Sequence, residues 1–312
     1  MTSRPTSRHI ALLLLVATIT AACADAPEPG DTPSRGIPHA QAPSELLLRW
    51  GYEGGFTPPE FQLTNLPSFS LYGDGTIVRP GPQMEIYPGP ALPALEAMRL
   101  DERGIQSILQ AALDADLATV TDLTDMGSVG IADAAETVFT LRFGDVDRTV
   151  RIYALAELGG QMPGMSDDEF RARKRLLAFV EQLSSLETWL PDGSISASTV
   201  FEPSGTRAFV TRYRGQPDLP QEPVVWPLAT PLGGIGDDAG AGFRCVAVTG
   251  QDWTQVLQPA ASMASQLTPW TSEGRRYAVA FRPLLPDSPP ADLRHVAPTP
   301  PSPPQGSSWA CR

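Results

Sequence analysis

Alternating apolar positions predict two β-hairpins in the first half of the chain. The run that begins at residue 45 has period two, which is the spacing of one face of a strand. Its apolar positions are Leu46, Leu48, Trp50 and Tyr52. A second run extends from Phe69 to Ile77 and contains Asp74-Gly75, where we expect a type I′ turn because both residue types tolerate positive φ. A second hairpin is predicted where apolar residues alternate on both sides of the sequence GDVD: Phe139, Leu141 and Phe143 before it, Val150, Ile152 and Ala154 after it.

Apolar spacing near 3.6 residues predicts two helices beside these hairpins. The first covers residues 101–117, with Asp101 as the N-cap and Leu100 and Ile105 spaced as a hydrophobic staple. Its buried face is predicted to contain Ile105, Ile108, Leu109 and Ala112. The second covers residues 166–187 and starts with a capping box from Ser166 to Glu169. Its apolar stripe is predicted to contain Phe170, Leu176, Leu177, Val180 and Leu183.

The second half of the chain predicts a smaller set of elements. Strands are expected at TRAFVTRYR, GFRCVAVTG and RRYAVAFRPLL, with a helix over residues 252–267 before the last of them. Pro259 lacks an amide donor, so it should kink or divide that helix. The whole pattern predicts the α+β class: a larger unit of two β-hairpins packed with two helices, followed by a smaller β-β-α-β unit.

Composition along the chain predicts five segments. At 312 residues the chain exceeds a typical single domain. We expect a signal peptide over residues 1–22, a Pro-rich tether over 23–44, an α+β domain over 45–190, a smaller α+β domain over 191–285, and a Pro-rich tail over 286–312. The tether and the tail lack apolar periodicity, and proline favours extended chain there.

The first 25 residues indicate export. Arg4 and Arg8 precede the apolar run 10–19, which is shorter than the roughly 20 residues of a spanning helix. The sequence Thr20-Ala21-Ala22-Cys23 resembles the leader of bacterial exported lipoproteins, many of which have no known function. The resemblance implies acylation of Cys23 and anchoring at the extracytoplasmic face of the membrane. An ordinary A-x-A site at 22–24 stays open as the alternative, and the protein would then be secreted.

Charge and cysteine content bear on partners and compartment. The formal net charge is −12, and such a surface repels phosphate backbones, so nucleic acid is excluded as an expected partner. The expected partners are the membrane, through the N-terminal lipid, and a protein or glycan. If Cys23 carries lipid, Cys245 and Cys311 remain and can form a disulfide outside the cytosol. Two unpaired thiols are the alternative.

Catalytic residues are not assigned from the sequence. His9, His39 and His295 fall in the leader, the tether and the tail, which argues against a Ser-His-Asp mechanism and against His-ligated zinc. Lys174 lies in the basic run RARKR of a predicted helix, where a solvated charge is favoured over a buried base. We therefore predict no cofactor and no metal.

Two further sequence patterns suggest a binding site, but each has an ordinary loop as the competing interpretation. Gly234, Gly236 and Ala239 have the spacing of a dinucleotide-binding loop, but a strand-like run follows, and Asp237-Asp238 would repel phosphate. A flexible loop between strands is expected there. A set of acidic residues follows the first helix without matching a calcium loop, and a solvated acidic loop is favoured. Its members are Asp114, Asp116, Asp122, Asp125 and Asp133.

The expected function is that of a non-enzymatic binding or interaction module at the cell envelope. The alternative is a carboxylate-dependent hydrolase that acts on an envelope or external glycan, because glycoside cleavage needs only two acids. Glu53 is the candidate acid, since it lies beside Trp50 and Tyr52, which could stack against a sugar ring. A glutamate in an ordinary loop after a core strand is the competing interpretation.

Overall fold

Two β-sheets and four α-helices make up the described part of the chain, which comprises residues 36–124, 131, 133–157 and 164–288 of a computed structural model. This content confirms the predicted α+β class.

The first sheet has seven strands. They are β1 (Leu46–Gly54), β2 (Phe69–Tyr72), β3 (Thr76–Pro80), β4 (Leu95–Arg99), β5 (Ala135–Phe143), β6 (Val146–Tyr153) and β7 (Thr199–Val200). Their spatial order is β6-β5-β1-β2-β3-β4-β7, and every neighbouring pair is antiparallel. Both predicted hairpins are confirmed, as β2-β3 and β5-β6, and β1 lies between them.

The second sheet has six strands. They are β8 (Gly205–Arg212), β9 (Val224–Val225), β10 (Asp237–Gly240), β11 (Phe243–Thr249), β12 (Pro269–Ser272) and β13 (Arg275–Pro283). Their order is β10-β11-β8-β13-β12-β9, and β9 and β12 form the single parallel pair among these strands. The three predicted strands are β8, β11 and β13, and three short strands, β9, β10 and β12, extend the sheet on both sides.

The helices are α1 (Pro59–Thr64), α2 (Glu102–Asp114), α3 (Asp167–Ser184) and α4 (Gly250–Ser262). The predicted N-caps of the second and third helices are confirmed. Asp101 accepts a hydrogen bond from the amide of Gly104 at 2.9 Å, and the Ser166 hydroxyl accepts from the amide of Glu169 at 3.1 Å. A 3₁₀ turn at Leu186–Thr188 follows α3.

Helices α2 and α3 cover one face of the first sheet. The even-numbered residues Leu48 and Trp50 of β1 and the facing residues of β5 lie in this core. The buried residues of α2 include those that the sequence predicts, Ile105, Ile108, Leu109 and Ala112. Since side chains alternate along a strand, Arg49, Gly51 and Glu53 lie on the opposite face of the sheet.

Helix α4 covers one face of the second sheet. Trp253, Val256 and Ala260 of this helix pack against a cluster that includes Trp270 and Phe281. The opposite face of β8 and β13 contributes Phe209 and Ala280 to a smaller apolar cluster. That cluster also includes Leu63 of α1, so α1 connects this face to the first half of the chain.

One local prediction is wrong, and a second is wrong in part. The turn between β2 and β3 is closed by the amide of Gly75, which donates to the carbonyl of Tyr72 at 2.9 Å. Its central residues are therefore Gly73 and Asp74, and neither has positive φ, so the turn is not type I′. Pro259 does not divide α4, which runs through it to Ser262, and the kink stays a prediction.

The end of the predicted tether packs on the folded part. Ile37 contacts the core of the first sheet, and its amide donates to the side chain of Gln106 in α2 at 2.7 Å. The carbonyl of Pro38 accepts from the amide of Gly144 at 2.6 Å. His39 lies beside Glu102, with 3.2 Å between Nε2 and Oε1. Residues 36–44 therefore belong to the fold, and His39 is held in it.

The described residues belong to one compact unit that begins at Gly36. Strand β7 lies within the segment 191–285 that is predicted as the smaller domain, and it forms an edge of the first sheet. The predicted division at residue 191 stays a prediction. Among the described residues, no helix combines the length and the hydropathy that a membrane crossing needs.

Candidate functional site

A cavity of about 610 Å³ lies over the face of the first sheet that the helices leave uncovered. We call it the inter-sheet cleft. Its floor is formed by Arg49, Gly51 and Glu53 of β1 and by Val138 and Thr140 of β5. Helix α1 and its flanking loops form one wall, and Arg282 of β13 reaches it from the second sheet.

The chain turns sharply at the end of β1 to build this wall. Gly54 and Gly55 have φ values of 73° and 75°, a region that only glycine adopts at low cost. Pro59 then occupies the first turn of α1, where its missing amide donor has no consequence. Leu63 holds α1 against the second sheet, so the wall is attached to both sheets.

Two aromatic side chains form the rim of the cleft: Phe61 is 56% exposed and Phe56 is 84% exposed. Tyr52 also belongs to the lining and is 40% exposed, but its ring lies on the face of β1 opposite the floor. Trp50 and Tyr52 share a face of β1 as predicted, with ring centroids 5.5 Å apart, but only Trp50 is fully in the core. Burial, followed by the charge of Glu157, raises the pKa of Tyr52 above its ordinary value.

Acidic side chains line the outer end of the cleft. Glu53, Asp133 and Glu157 all belong to its lining. Glu53 accepts a hydrogen bond from Arg151 at 2.7 Å, and the same guanidinium lies 3.2 Å from Glu136. Glu53 is therefore part of the cleft and is also anchored by an ion pair.

A partly buried ion pair lies at the inner end. The Arg49 guanidinium donates to Asp287 at 2.7 Å, to Tyr72 at 3.1 Å and to Ser70 at 3.0 Å, and the Tyr72 hydroxyl donates to Asp287 at 2.9 Å. Burial alone would raise the pKa of Asp287, but the hydrogen bond and charge of Arg49 lower that pKa below its ordinary value. Asp287 lies just after β13, so this pair joins the two sheets.

Arg282 and Arg207 form a second cationic group at the cleft. They lie directly opposite each other on β13 and β8, and both are half-buried. Burial lowers the pKa of both, and for Arg282 the neighbouring charges of Arg207 and Arg49 lower it further. Within the described ranges, neither guanidinium has a hydrogen bond or an ion pair.

The other candidate residues lie away from the cleft. Gly236 precedes β10, which pairs with β11, so part of the predicted flexible loop is a hairpin. Lys174 is exposed on α3, with its ammonium 5.4 Å from the centre of the Phe170 ring. Cys245 is buried at 2% exposure. Cys23, Cys311, His9 and His295 lie outside the described residues.

The predicted acidic loop is divided among separate partners. Asp114 accepts from Gln110, Asp116 pairs with Arg175, and Asp122 accepts from the amide of Arg151. Asp133 reaches the cleft, and Asp125 lies outside the described residues. In the ranges that the structure covers, no three His, Cys, Asp or Glu side chains are grouped to hold a metal ion.

The sequence draws attention to Glu53 and Tyr52 but not to the arginines of the cleft. Alternation in RRYAVAFRPLL places Arg282 on the face opposite Phe281, and alternation in TRAFVTRYR places Arg207 opposite Ala208 in the same way. From the sequence alone, Arg282 and Arg207 would each be interpreted as a solvated surface charge. Their position becomes visible only when β8 and β13 are paired and packed beside α1.

Comparison with models of protein families, with curated proteins and with solved structures finds no match to this chain. Its function is therefore inferred from its own geometry.

Proposed function

We propose that this chain is an exported, lipid-anchored binding module that captures a small ligand in the inter-sheet cleft. The observation that carries the proposal is the cleft itself. Its volume of about 610 Å³ falls in the range typical of ligand sites, and it combines an aromatic rim with a few converging charged groups. Aromatic faces supply contact area, and the polar groups fix the orientation of the ligand.

The placement at the envelope is supported by the leader. The run 10–19, the small residues before Cys23 and the Pro-rich segment after it agree with acylation of Cys23. Two or more acyl chains would make the anchoring stable, since each buried CH₂ contributes about 0.8 kcal/mol. Mass spectrometry of the native N-terminus should find an acylated Cys23, and Cys23→Ala should release the protein from membranes. An intact Met1 without an acyl group would contradict this placement.

The binding function is tested with variants of the rim. Glycans and small organic molecules would be screened against the purified protein by the rise in melting temperature. For each ligand found, affinity would be compared in the double variant Phe56→Ala/Phe61→Ala. We expect affinity to fall at least about tenfold, the effect of losing one or two aromatic contacts.

The matched control is Met84→Ala/Ile86→Ala, which removes two apolar side chains of similar exposure from a loop that does not line the cleft. This variant should bind as the unmodified protein does. Ligands whose affinity is the same in all three proteins would place binding outside the cleft and refute the proposal.

A hydrolase that acts on glycans is the second candidate, because Glu53, Asp133 and Glu157 line one cleft. Two carboxyl groups on opposite sides of a glycosidic bond are sufficient for its cleavage. Glu53→Gln and Glu157→Gln should then abolish turnover of a glycan while the melting temperature stays within a few degrees. Because Glu53 also pairs with Arg151, Glu136→Gln is the control for loss of that ion pair. If the protein cleaves none of a broad panel of glycans, the binding function is favoured over the hydrolase.

A further inference from the structure

We infer that Arg282, supported by Arg207, forms an oxyanion subsite in the inter-sheet cleft, and that the ligand of the cleft carries a carboxylate. The inference rests on the proposed function and specifies its ligand.

Two like charges are paired beside the cleft. Arg207 and Arg282 are directly opposite on adjacent antiparallel strands, and their side chains point to the same face. Like charges in such a position destabilise a sheet. A guanidinium stays protonated even when it is partly desolvated, so the repulsion cannot be relieved by loss of a proton.

The two carboxylates whose charges act on Arg282 are already engaged by other partners. Asp287 is engaged by Arg49 and by the Tyr72 hydroxyl, and Glu53 is engaged by Arg151. Their charges act on Arg282 from a distance but make no ion pair with it. Over the whole chain, whose formal net charge is −12, carboxylates outnumber cations. The local pair of cations at Arg207 and Arg282, which has no carboxylate partner among the described residues, would be offset by an anion from outside.

Arg282 is accessible from the cavity and has the geometry to bind an oxyanion. It belongs to the lining of the cleft, so an anion in the cavity can reach it. Its planar guanidinium presents several N–H donors in a fork that matches the two oxygens of a carboxylate. Arg207 lies beside it on β8 and adds positive charge.

A carboxylate is favoured over other oxyanions by the rest of the lining. Glu53, Asp133 and Glu157 would repel a doubly charged phosphate more strongly than a singly charged carboxylate. Phe56 and Phe61 offer apolar faces to the organic part of such a ligand. A ring that bears one carboxylate therefore suits both Arg282 and the two phenylalanines of the lining.

The experiment compares benzoate with benzamide, which has nearly the same shape and no charge. Melting temperature would be followed against ligand concentration at constant ionic strength with chloride as the balancing anion, because a ligand that binds the folded state raises it. Benzoate should stabilise the protein in a saturable way, and benzamide should bind at least about tenfold more weakly. Inorganic phosphate would be titrated in parallel.

Two variants locate the effect. Arg282→Gln removes the charge and should abolish the tighter binding of benzoate relative to benzamide. Arg282→Lys keeps the charge but lacks the forked donors, so it should retain part of that difference in affinity. Neither should unfold the protein, because Arg282 has no bonding partner among the described residues. Arg276→Gln is the matched control, since Arg276 lies on the same strand, is exposed, and does not line the cleft.

The outcomes separate this inference from the proposed function. Equal binding of benzoate and benzamide, dependent on Phe56 and Phe61 but not on Arg282, would overturn the subsite and leave the proposed function intact. Tighter binding of phosphate through Arg282 would overturn the carboxylate assignment and keep the oxyanion subsite. Stabilisation by benzoate that depends on Arg282 but not on the two phenylalanines would support the subsite while contradicting the aromatic rim.

Discussion

Arg173 lies inside α3 with 2% of its surface exposed, although it belongs to a run of basic residues. Its guanidinium donates to the carbonyls of Tyr153 and Leu123 at 2.7 and 3.1 Å and to the carboxylate of Glu169 at 3.0 Å. One side chain thus joins the helix, the end of β6 and the segment after α2. A charge can be buried only when it is compensated in this way.

Arg173→Leu is therefore expected to destabilise the protein by about 3 kcal/mol or more, because it leaves two carbonyls and a carboxylate without this donor. Urea unfolding at pH 7 measures the change. Arg171→Leu is the control, since Arg171 pairs with Asp168 on the exposed face of the same helix and should cost less than about 1 kcal/mol. Similar losses in the two variants would mean that the buried network contributes nothing.

Cys245 is buried in the apolar cluster of Phe209 and Phe243. The pairing with Cys311 stays a prediction, because Cys311 lies outside the described residues. If the disulfide forms, denatured and unreduced protein from the envelope should have no thiol that reacts with maleimide, apart from Cys23 when that is not acylated. Reduction should then destabilise the protein by about 4 kcal/mol on the loop-entropy model. Two reactive thiols at positions 245 and 311 would contradict the pairing.

The hairpin β2-β3 shows how much a turn depends on its surroundings. Gly75 has a φ of 86°, and a Cβ at this position would lie 2.4 Å from the carbonyl oxygen of Leu100. That carbonyl belongs to the segment that leads into α2. The glycine is required both by its own backbone and by the close approach of another element.

Gly75→Ala should therefore cost more than backbone strain alone. We expect a loss of about 3 kcal/mol or more in the free energy of unfolding, because the clash adds to a φ cost of roughly 1 kcal/mol. Gly193→Ala measures the free-energy cost of positive φ alone. Gly193 has a φ of 72°, and a Cβ added there would have no atom within 4 Å. Equal melting temperatures for the two variants would show that the loop before α2 moves aside freely.

The sequence predicts the long elements well and the short ones poorly. Caps and apolar periodicity are local, so Asp101 and Ser166 locate α2 and α3, and alternation locates the long strands. Two-residue strands such as β7 and β9 have no period to detect, because their pairing partners set them. The turn at Gly73-Asp74 escapes prediction for the same reason, since register with β3 decides which residues are central.

The cleft is predictable only in part. Glu53 and Tyr52 attract attention because aromatic and acidic residues are adjacent in the sequence, whereas Arg49 and Arg282 are far apart along the chain. Their meeting depends on how the two sheets pack, and alternation within each strand says nothing about that. The end of the tether differs from its prediction because the amide of Ile37 donates to Gln106 of α2 and its side chain packs against the core. Both partners are distant from Ile37 in sequence.

Apolar and charged contacts join the two sheets beside the cleft. Leu285, which lies just after β13, shares an apolar cluster with residues of the first sheet, namely Leu46, Tyr72, Val78 and Leu95. The ion pair of Arg49 and Asp287 lies at the same junction, with 24% and 18% of the side chains exposed. The two sheets therefore meet through both apolar and charged contacts, and the charged one is sensitive to pH.

Asp287→Asn should reduce stability by about 1 to 3 kcal/mol at pH 7, because it removes a charge-assisted hydrogen bond and leaves Arg49 without its carboxylate. The pKa of Asp287 is lower in the folded state than the unfolded value of about 3.9. Its contribution is therefore complete above the unfolded pKa and is lost as pH falls through the folded pKa. The difference between the variant and the unmodified protein should stay constant from pH 7 to 5 and shrink below about pH 4.

Chemical unfolding at pH 7, 5 and 3 measures this difference. Asp147→Asn serves as the control, since Asp147 and Arg142 form an exposed pair at 3.5 Å, and it should change stability little at each pH. A loss for Asp287→Asn that is as large at pH 3 as at pH 7 would show that the carboxylate charge is not its source. Because Arg49 lines the cleft and loses its neutralising carboxylate in this variant, a carboxylate ligand should bind more tightly at pH 7, which would connect the junction of the sheets to the site between them.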